Sequence, residues 1–529
     1  MSPPGGVVLY VADRVETFDP AVLAEQPPDS VAVAGDRVIW IGSRSQAPSV
    51  GTVVDLGGAT ILPGFVDAHV HLTATGLLNQ GPDLTRCDSR EEMLDALAAF
   101  HRLEPDGVLY GSGWDDSRWP QANPPTMDDL DRICDGRPCY LPRVDIHGAL
   151  VSTAMLALAQ VRDCPGVERD REGHPSGFVV GRAHEALRRV ALSAMSNGQI
   201  RSAQQGAAKL AASRGVVEVH EMGGPDTSSE RDLDLLLAQA DSLPVGVVAY
   251  YATNDLGFVL DRGLRQIGGD LFVDGSLGSR TAAMREAYAD GPGTGDLHMR
   301  DDDLVSLITE ATRAGLQLGL HAIGDAALDQ ALHCFEQAVL ASTLEGALGF
   351  VRLRHRIEHL ECVDETGLKR MAMLGLAASM QPGSDSAWGH PGGLYESRLG
   401  TERSRAMNPL RSVQAHGIPL GFGSDSPVTP LDPWGWIGAA VAHHDPSQAL
   451  SVRQAIVASS QGGRSLGRAA AGASILRQGA VADFAAFAGD PVGRPPVAGT
   501  KALLTVRQGI VTHRAPSVDV PAEVLEVSG

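Results

Sequence analysis

The chain has 529 residues, 43% hydrophobic and 20% charged, which fits an ordinary globular protein with room for one large domain and a smaller one, or for two or three medium ones. Its formal net charge of −21 argues against nucleic acid as a partner, because phosphate recognition needs a basic surface. No apolar stretch approaches the roughly 20 residues that span a bilayer, so no membrane partner is expected.

The opening Met1-Ser-Pro-Pro-Gly-Gly lacks a basic segment followed by an apolar core, so no signal peptide is expected and a cytoplasmic address is. Residues Val31 to Gly42 alternate around a Gly-Asp turn and predict a hairpin. From residue 60 onward short apolar runs recur: Ile61–Asp67, Val216–His220, Val245–Tyr251, Leu271–Asp274, Leu316–His321, Val351–His359, Leu376–Gln381 and Ile418–Gly423. Helical patterns lie between them, among them Gln204–Ser213, Asp301–Arg313 and Asp325–Leu340. Eight alternating βα units predict the α/β class and a (β/α)8 TIM barrel over 59–475. The interval 75–200 fits no single unit and reads as an insertion after strand one, over the barrel mouth. Trp114, Trp119 and His147 within it are candidate substrate-binding residues, with packing inside the insertion as the equal alternative. Strand-like Ala480–Phe487 and Leu503–Val511 follow the barrel. Neither end of the chain can bury enough area alone, so residues 1–58 and 476–529 are expected to pair in one small β-sandwich. The six cysteines (Cys87, Cys134, Cys139, Cys164, Cys334 and Cys362) are scattered and expected to stay reduced.

The chemistry concentrates at strand ends. His69 and His71 close the run Thr60-Ile-Leu-Pro-Gly-Phe-Val-Asp-Ala-His-Val-His, and residues two apart in a strand share a face. Two such imidazoles can share a divalent ion at about 2.0–2.1 Å per nitrogen. Alone, the pair reads equally well as half-buried loop histidines. Strand five, however, ends in His321, strand six in Glu358-His359, and strand eight in Gly-Ser-Asp425. C-terminal strand ends of such a barrel converge on one face. His69, His71, His321, His359 and Asp425 therefore form a candidate ligand set for Zn2+ or Fe2+ with a position left for water.

Several phrases in order carry a resemblance: Pro63-Gly-Phe-Val-Asp-Ala-His-Val-His-Leu, Gly113-Trp-Asp-Asp with Arg118-Trp-Pro, Asp274-Gly-Ser-Leu-Gly-Ser-Arg-Thr-Ala, His321-Ala-Ile-Gly-Asp, Arg356-Ile-Glu-His, Gly423-Ser-Asp-Ser-Pro and Gly479-Ala-Val-Ala-Asp. Over nearly its whole length the chain resembles the metal-dependent amidohydrolase superfamily, and within it amidohydrolase family 3 (YtcJ-like). The resemblance implies a barrel plus a β-sandwich built from both termini. It also implies hydrolysis of non-peptide C–N bonds in small amide, N-acyl, formamide or cyclic amide substrates. The implied cofactor is a divalent metal, Zn2+ with Fe2+ or Mn2+ as alternatives, one or two per chain. On that resemblance His69, His71, His321 and His359 are metal ligands, and Asp425 binds metal and serves as the base. The metal, His359, or both are expected to polarise the substrate carbonyl, which makes His359 a candidate catalytic residue beside Asp425. Arg280, after strand four, is a candidate clamp for a substrate carboxylate, or half of a structural ion pair.

One position departs from the family. Many members carry a carboxylated lysine on strand four that bridges two metals. The corresponding residue here is Asp270, and the three lysines, Lys209, Lys369 and Lys501, lie away from the strand ends. Aspartate is too short to bridge from the same backbone position without a shift. The expectation is one metal, or a pair bridged by Asp270, Asp274 or Glu218. Two other readings stay open: a mononuclear deaminase of heterocycles, in which His359 contacts substrate, and a catalytically silent barrel that binds. A dehydrogenase is disfavoured, because no Gly-x-Gly-x-x-Gly follows a first strand. A small-molecule substrate is the expected partner, and a homodimer is left open.

Overall fold

The computed structural model describes the whole chain except residues 1–5, 20–26, 85, 104–106, 112, 117–118, 122, 144–147, 226, 470–472 and 526–529. Eight parallel strands run through it in chain order: Phe65–Val70, Val216–Gly223, Gly246–Tyr251, Gln266–Phe272, Gln317–Ala322, Arg356–His359, Ala377–Met380 and Leu420–Phe422. The first three form one sheet with the second strand in the centre, and the last five form another in sequential order. Helices such as Asp301–Arg313, with three aspartates in its first turn, and Asp325–Leu340 separate the strands. The result is a TIM-barrel-like α/β fold. From strand eight the Asp425 N–H donates to the His69 carbonyl at 2.7 Å, and the His71 N–H donates to the Ser426 carbonyl at 3.0 Å.

Three strands differ from the sequence expectation. The run at 61–67 divides: Ala59–Pro63 pairs with Phe484–Ala488 of the C-terminal segment, and only Phe65–Val70 joins the parallel strands. The apolar residues at 351–353 end a helix, Leu344–Leu353, that buries Phe350 and Leu353, so strand six begins at Arg356. Strand four begins five residues early, at Gln266, because glycines rather than apolar side chains fill its first half. Gly268 and Gly269 both take positive φ, +78° and +80°. Gly268 pairs with Gly319 while Phe272 pairs with His321, so four residue steps on strand four match two on strand five. This is a bulge of two extra residues.

The two chain ends build two sheets. One has the order Arg37–Gly42, Ser30–Ala34, Val8–Val11, Thr52–Asp55, and the other Arg14–Val15, Ala59–Pro63, Phe484–Ala488, Leu504–Arg507, Ile510–Arg514. A single apolar cluster unites N-terminal Tyr10, Val31 and Val54 with C-terminal Phe484, Leu504 and Val506. Tyr10 meets Phe484 edge to face at 5.0 Å.

Residues Leu72–Ala207 with Pro225–Gln239 form a separate compact unit. It has its own antiparallel-rich sheet, ordered Val167–Arg169, Pro175–Val180, Gly148–Val151, Cys139–Pro142, Leu109–Tyr110. A capping box between Thr126 and Asp129 starts its helix Met127–Cys134. All six cysteines of the chain are free. Among the described residues, no helix is long and apolar enough to cross a membrane.

Phe484 is fully buried at the junction of the two ends. Phe484→Ala is expected to destabilise the protein by about 3–5 kcal/mol, read from urea unfolding. A loss within about 0.5 kcal/mol, the range of an ordinary surface substitution, would mean that the shared core contributes little.

Candidate metal centre

Strand one delivers His69 from its last turn of pleat and His71 from just beyond its end. Asp67 fixes that terminus against strand eight. Its carboxylate accepts from the Ser424 N–H at 2.9 Å, the Ser424 hydroxyl at 2.6 Å and the His69 N–H at 3.2 Å. Asp425 follows Ser424 in a left-handed backbone conformation, φ +52°, that turns its side chain back on the histidines. Its Oδ1 lies 3.2 Å from His71 Nε2 and 3.5 Å from His69 Nε2.

The glycine bulge of strand four places Asp270 opposite. Its Oδ2 lies 3.6 Å from His71 Nε2, and its Oδ1 lies 3.5 Å from His359 Nε2 and 3.0 Å from His321 Nδ1. A Cβ on Gly269 would stand 2.6 Å from Met222 Sδ and 2.8 Å from Tyr250 Cβ, so only glycine lets the strand come this close. The bulge thus carries Asp270 to within 3.6 Å of three histidine rings. Of the other two suggested bridges, Asp274 is occupied by three backbone N–H groups, of Ala283, Ile323 and Gly324, at 2.8–3.0 Å. Glu218 is paired with Arg464 at 2.7 Å.

The rings are held from behind. His71 Nδ1 meets the Met222 carbonyl at 2.9 Å, His359 Nδ1 meets Gln381 Oε1 at 2.9 Å, and His69 Nδ1 meets Glu358 Oε2 at 2.9 Å. Each contact directs Nε2 toward the carboxylates. His321 differs, because its Nε2 lies against the Gly275 carbonyl at 3.3 Å. Two groups of three ligand atoms lie within 4.8 Å of one another: His69, His71 and Asp425, and His69, Asp270 and His359. The Nε2 atoms of His69 and His359 are buried and make no hydrogen bond. Two atoms each about 2.1 Å from a shared ion stand roughly 3–4 Å apart, which matches the His–Asp separations here. The donor set thus fits a divalent cation.

Electrostatics agree with this fit. Burial disfavours charge on both rings, yet Asp425 lifts His71 to about 9, and Asp270 with Asp425 lifts His359 to about 10. Burial also opposes ionisation of the two aspartates, but the surrounding imidazoles hold Asp270 well below and Asp425 below the usual carboxylate range. The raised histidines mark a point of negative potential, set by the lowered aspartates beside them.

Four substrate-binding expectations fare differently. Trp114 belongs to the core of the inserted unit: it is 1% exposed, donates to the Leu141 carbonyl at 2.9 Å and packs on Phe178. Trp119 likewise donates to the Cys87 carbonyl at 2.7 Å. His147, with Arg118 of the quoted motif, lies outside the described residues. Arg280 directs both prongs at Asp290, at 3.0 and 2.8 Å, because an acid ten residues along the same loop satisfies it. The structural ion pair, the alternative weighed for Arg280, is what forms.

Sequence reasoning passed over Arg356 and Glu358, both fully buried, although it quoted their motif. The signal was available: two charged residues two apart on one strand share a face. It also passed over Asp67 and Ser424, whose pairing spans 357 residues and shows in no local pattern.

The sequence pattern of the amidohydrolase family matches residues 52–513, and the chain belongs to that family. It is 27% identical over 477 residues to the amidohydrolase-family protein YtcJ of Bacillus subtilis (strain 168), covering 84% of this chain and 86% of that one. It is 25% identical over 499 residues to the N-substituted formamide deformylase of Arthrobacter pascens, covering 85% and 87%. A crystal structure of a metal-dependent hydrolase from Pyrococcus furiosus superposes with a TM-score of 0.77 at 28% identity, over 92% of this chain and all of that one. Family and neighbours together make this protein a metal-dependent hydrolase.

Two predictions follow from the bulge and the charges. Gly269→Ala is expected to destabilise the fold by about 1–3 kcal/mol and to lower the metal bound per chain, measured by thermal unfolding and elemental analysis. Unchanged metal content would uncouple the bulge from the site. Because the aspartates raise His71 and His359 above neutrality, ion uptake is expected to displace protons from them. Affinity for Zn2+ is therefore expected to rise as pH rises from 7 towards 9, with protons released into a lightly buffered solution. A pH-independent affinity with no release would contradict the charge state.

Proposed function

We propose that the protein hydrolyses a non-peptide C–N bond in a small amide, N-acyl, formamide or cyclic amide substrate, within a closed (β/α)8 barrel flanked by a β-sandwich of the two chain ends. The observation that carries this reading is the pair of buried Nε2 atoms of His69 and His359, each without a hydrogen bond and each 3.5 Å from a carboxylate oxygen. His69, His71 and Asp425 would hold one divalent ion, Zn2+ in the first instance. Asp270 would join them to a second ion held with His359 and His321, in the role that a carboxylated lysine plays in many family members. The name of the Arthrobacter relative supports formamides as the first substrates to try.

A divalent ion bound here supplies Lewis acidity and brings the pKa of a water molecule from about 15.7 towards 7. The residues do the rest. Asp425, ionised at neutral pH, accepts the proton of the attacking water and returns it to the departing nitrogen. In a one-ion centre His359, fixed by Gln381, would be free to face the carbonyl oxygen and steady the charge that develops there; as a ligand of a second ion its Nε2 would be taken.

Metal-depleted protein is expected to regain hydrolysis of N-substituted formamides with Zn2+, Mn2+ or Fe2+, with two ions per chain by elemental analysis. One ion at full activity would remove Asp270 as a bridge. Asp425→Asn is expected to keep the fold and lower kcat by about 10²–10⁴-fold. A near wild-type rate would remove Asp425 from proton transfer, and ammonia released from an aminated ring would favour the deaminase.

A further inference from the structure

We propose that Arg356 and Glu358 act as a positioning pair that fixes the ring of His69 and thereby sets how tightly the centre holds its ion. The proposal rests on the metal-dependent reading above and assigns a role to two residues that no part of that reaction uses.

Glu358 is fully buried, and its Oε2 lies 2.9 Å from His69 Nδ1. In that contact Nδ1 carries the proton and donates it, because a carboxylate can only accept. The lone pair is then left on Nε2, the atom that stands buried without a partner inside the ligand ring. The other rings have softer supports: a backbone carbonyl for His71 and a glutamine oxygen for His359. His69 alone, of the three directed by a contact at Nδ1, is backed by a buried carboxylate. A carboxylate behind a ligating histidine orients the ring and raises its basicity.

A carboxylate in so dry a place needs its own counter-charge. Arg356, also fully buried, supplies it through two prongs, Nε to Oε1 and Nη2 to Oε2, the latter at 2.7 Å. The guanidinium cannot turn away, since its remaining capacity is taken. Nη1 donates to His220 Nδ1 at 2.9 Å and to Tyr250 Oη at 3.3 Å; Nη2 also donates to Ser379 Oγ at 2.8 Å and to the Ala68 carbonyl at 2.6 Å. Ala68 precedes His69, so the same ion pair holds both the backbone and the ring of one ligand.

The test is Zn2+ affinity measured by chelator competition, beside the absorption spectrum of the Co2+-loaded protein. Glu358→Gln keeps the shape and an acceptor but leaves Arg356 unpaired, which endangers the fold. The double variant Arg356→Met/Glu358→Gln removes both charges together. Expected for either folded variant is a Kd for Zn2+ weaker by about 10–100-fold with a changed Co2+ spectrum. A folded double variant that binds Zn2+ within twofold of wild type would overturn the pair while leaving the metal centre standing. Wild-type protein that takes up no Zn2+ would overturn the metal reading itself. A measurement independent of variant folding uses the Zn2+-loaded wild type with 15N-labelled histidine. A slowly exchanging Nδ1 proton on His69 is expected, and an ion seated on Nδ1 would overturn the proposal.

Discussion

A guanidinium keeps its charge at any accessible pH, so one buried in the middle of a fold must be satisfied on every side. Arg356 meets that condition by touching five of the eight parallel strands. It reaches the first through the Ala68 carbonyl, the second through His220, the third through Tyr250, its own through Glu358, and the seventh through Ser379. Tyr250 extends the net to the fifth strand by donating to Gln317 at 2.7 Å. Such a hub tolerates one arrangement of strands and penalises every slipped one, because a register shift strands a charge in an apolar interior.

The metal centre grows from that hub by short steps. Glu358 passes from Arg356 to His69; Asp67 clamps the same strand end to Ser424; Asp425 comes next in the chain. Asp270 enters from the opposite side on its glycine bulge. Four chain segments more than 350 residues apart at their extremes therefore meet through direct polar contacts, with little left to side-chain chance. A hydrolase needs this order because a ligand displaced by about an ångström forfeits much of its effect.

Much of this was legible in the amino-acid sequence. Histidines and an aspartate that end separate apolar runs announce a shared rim, and the runs themselves place eight parallel strands within a few residues. What escaped did so for physical reasons. Local pattern cannot distinguish a helix that ends in Phe350 and Leu353 from the start of a strand, since both are short apolar stretches. The division of the run at 61–67 between two sheets depends on a C-terminal partner more than 400 residues away. The role of Arg280 turned on which acid lay closer, Asp290 or a substrate's, and only coordinates decide that. The bulge was visible as Gly268-Gly269, but its purpose depends on the tight approach of Met222 and Tyr250.

The glycine bulge has a consequence for how the centre comes into being. A carboxylated lysine reaches between two ions by length, and it exists only after dissolved carbon dioxide has added to its amine. In the two-ion arrangement proposed above, the main chain is brought inward by the bulge, so that an ordinary aspartate would stand where the carbamate does. A bridge of that kind would mature with metal alone, indifferent to bicarbonate supply and immune to decarboxylation in mild acid.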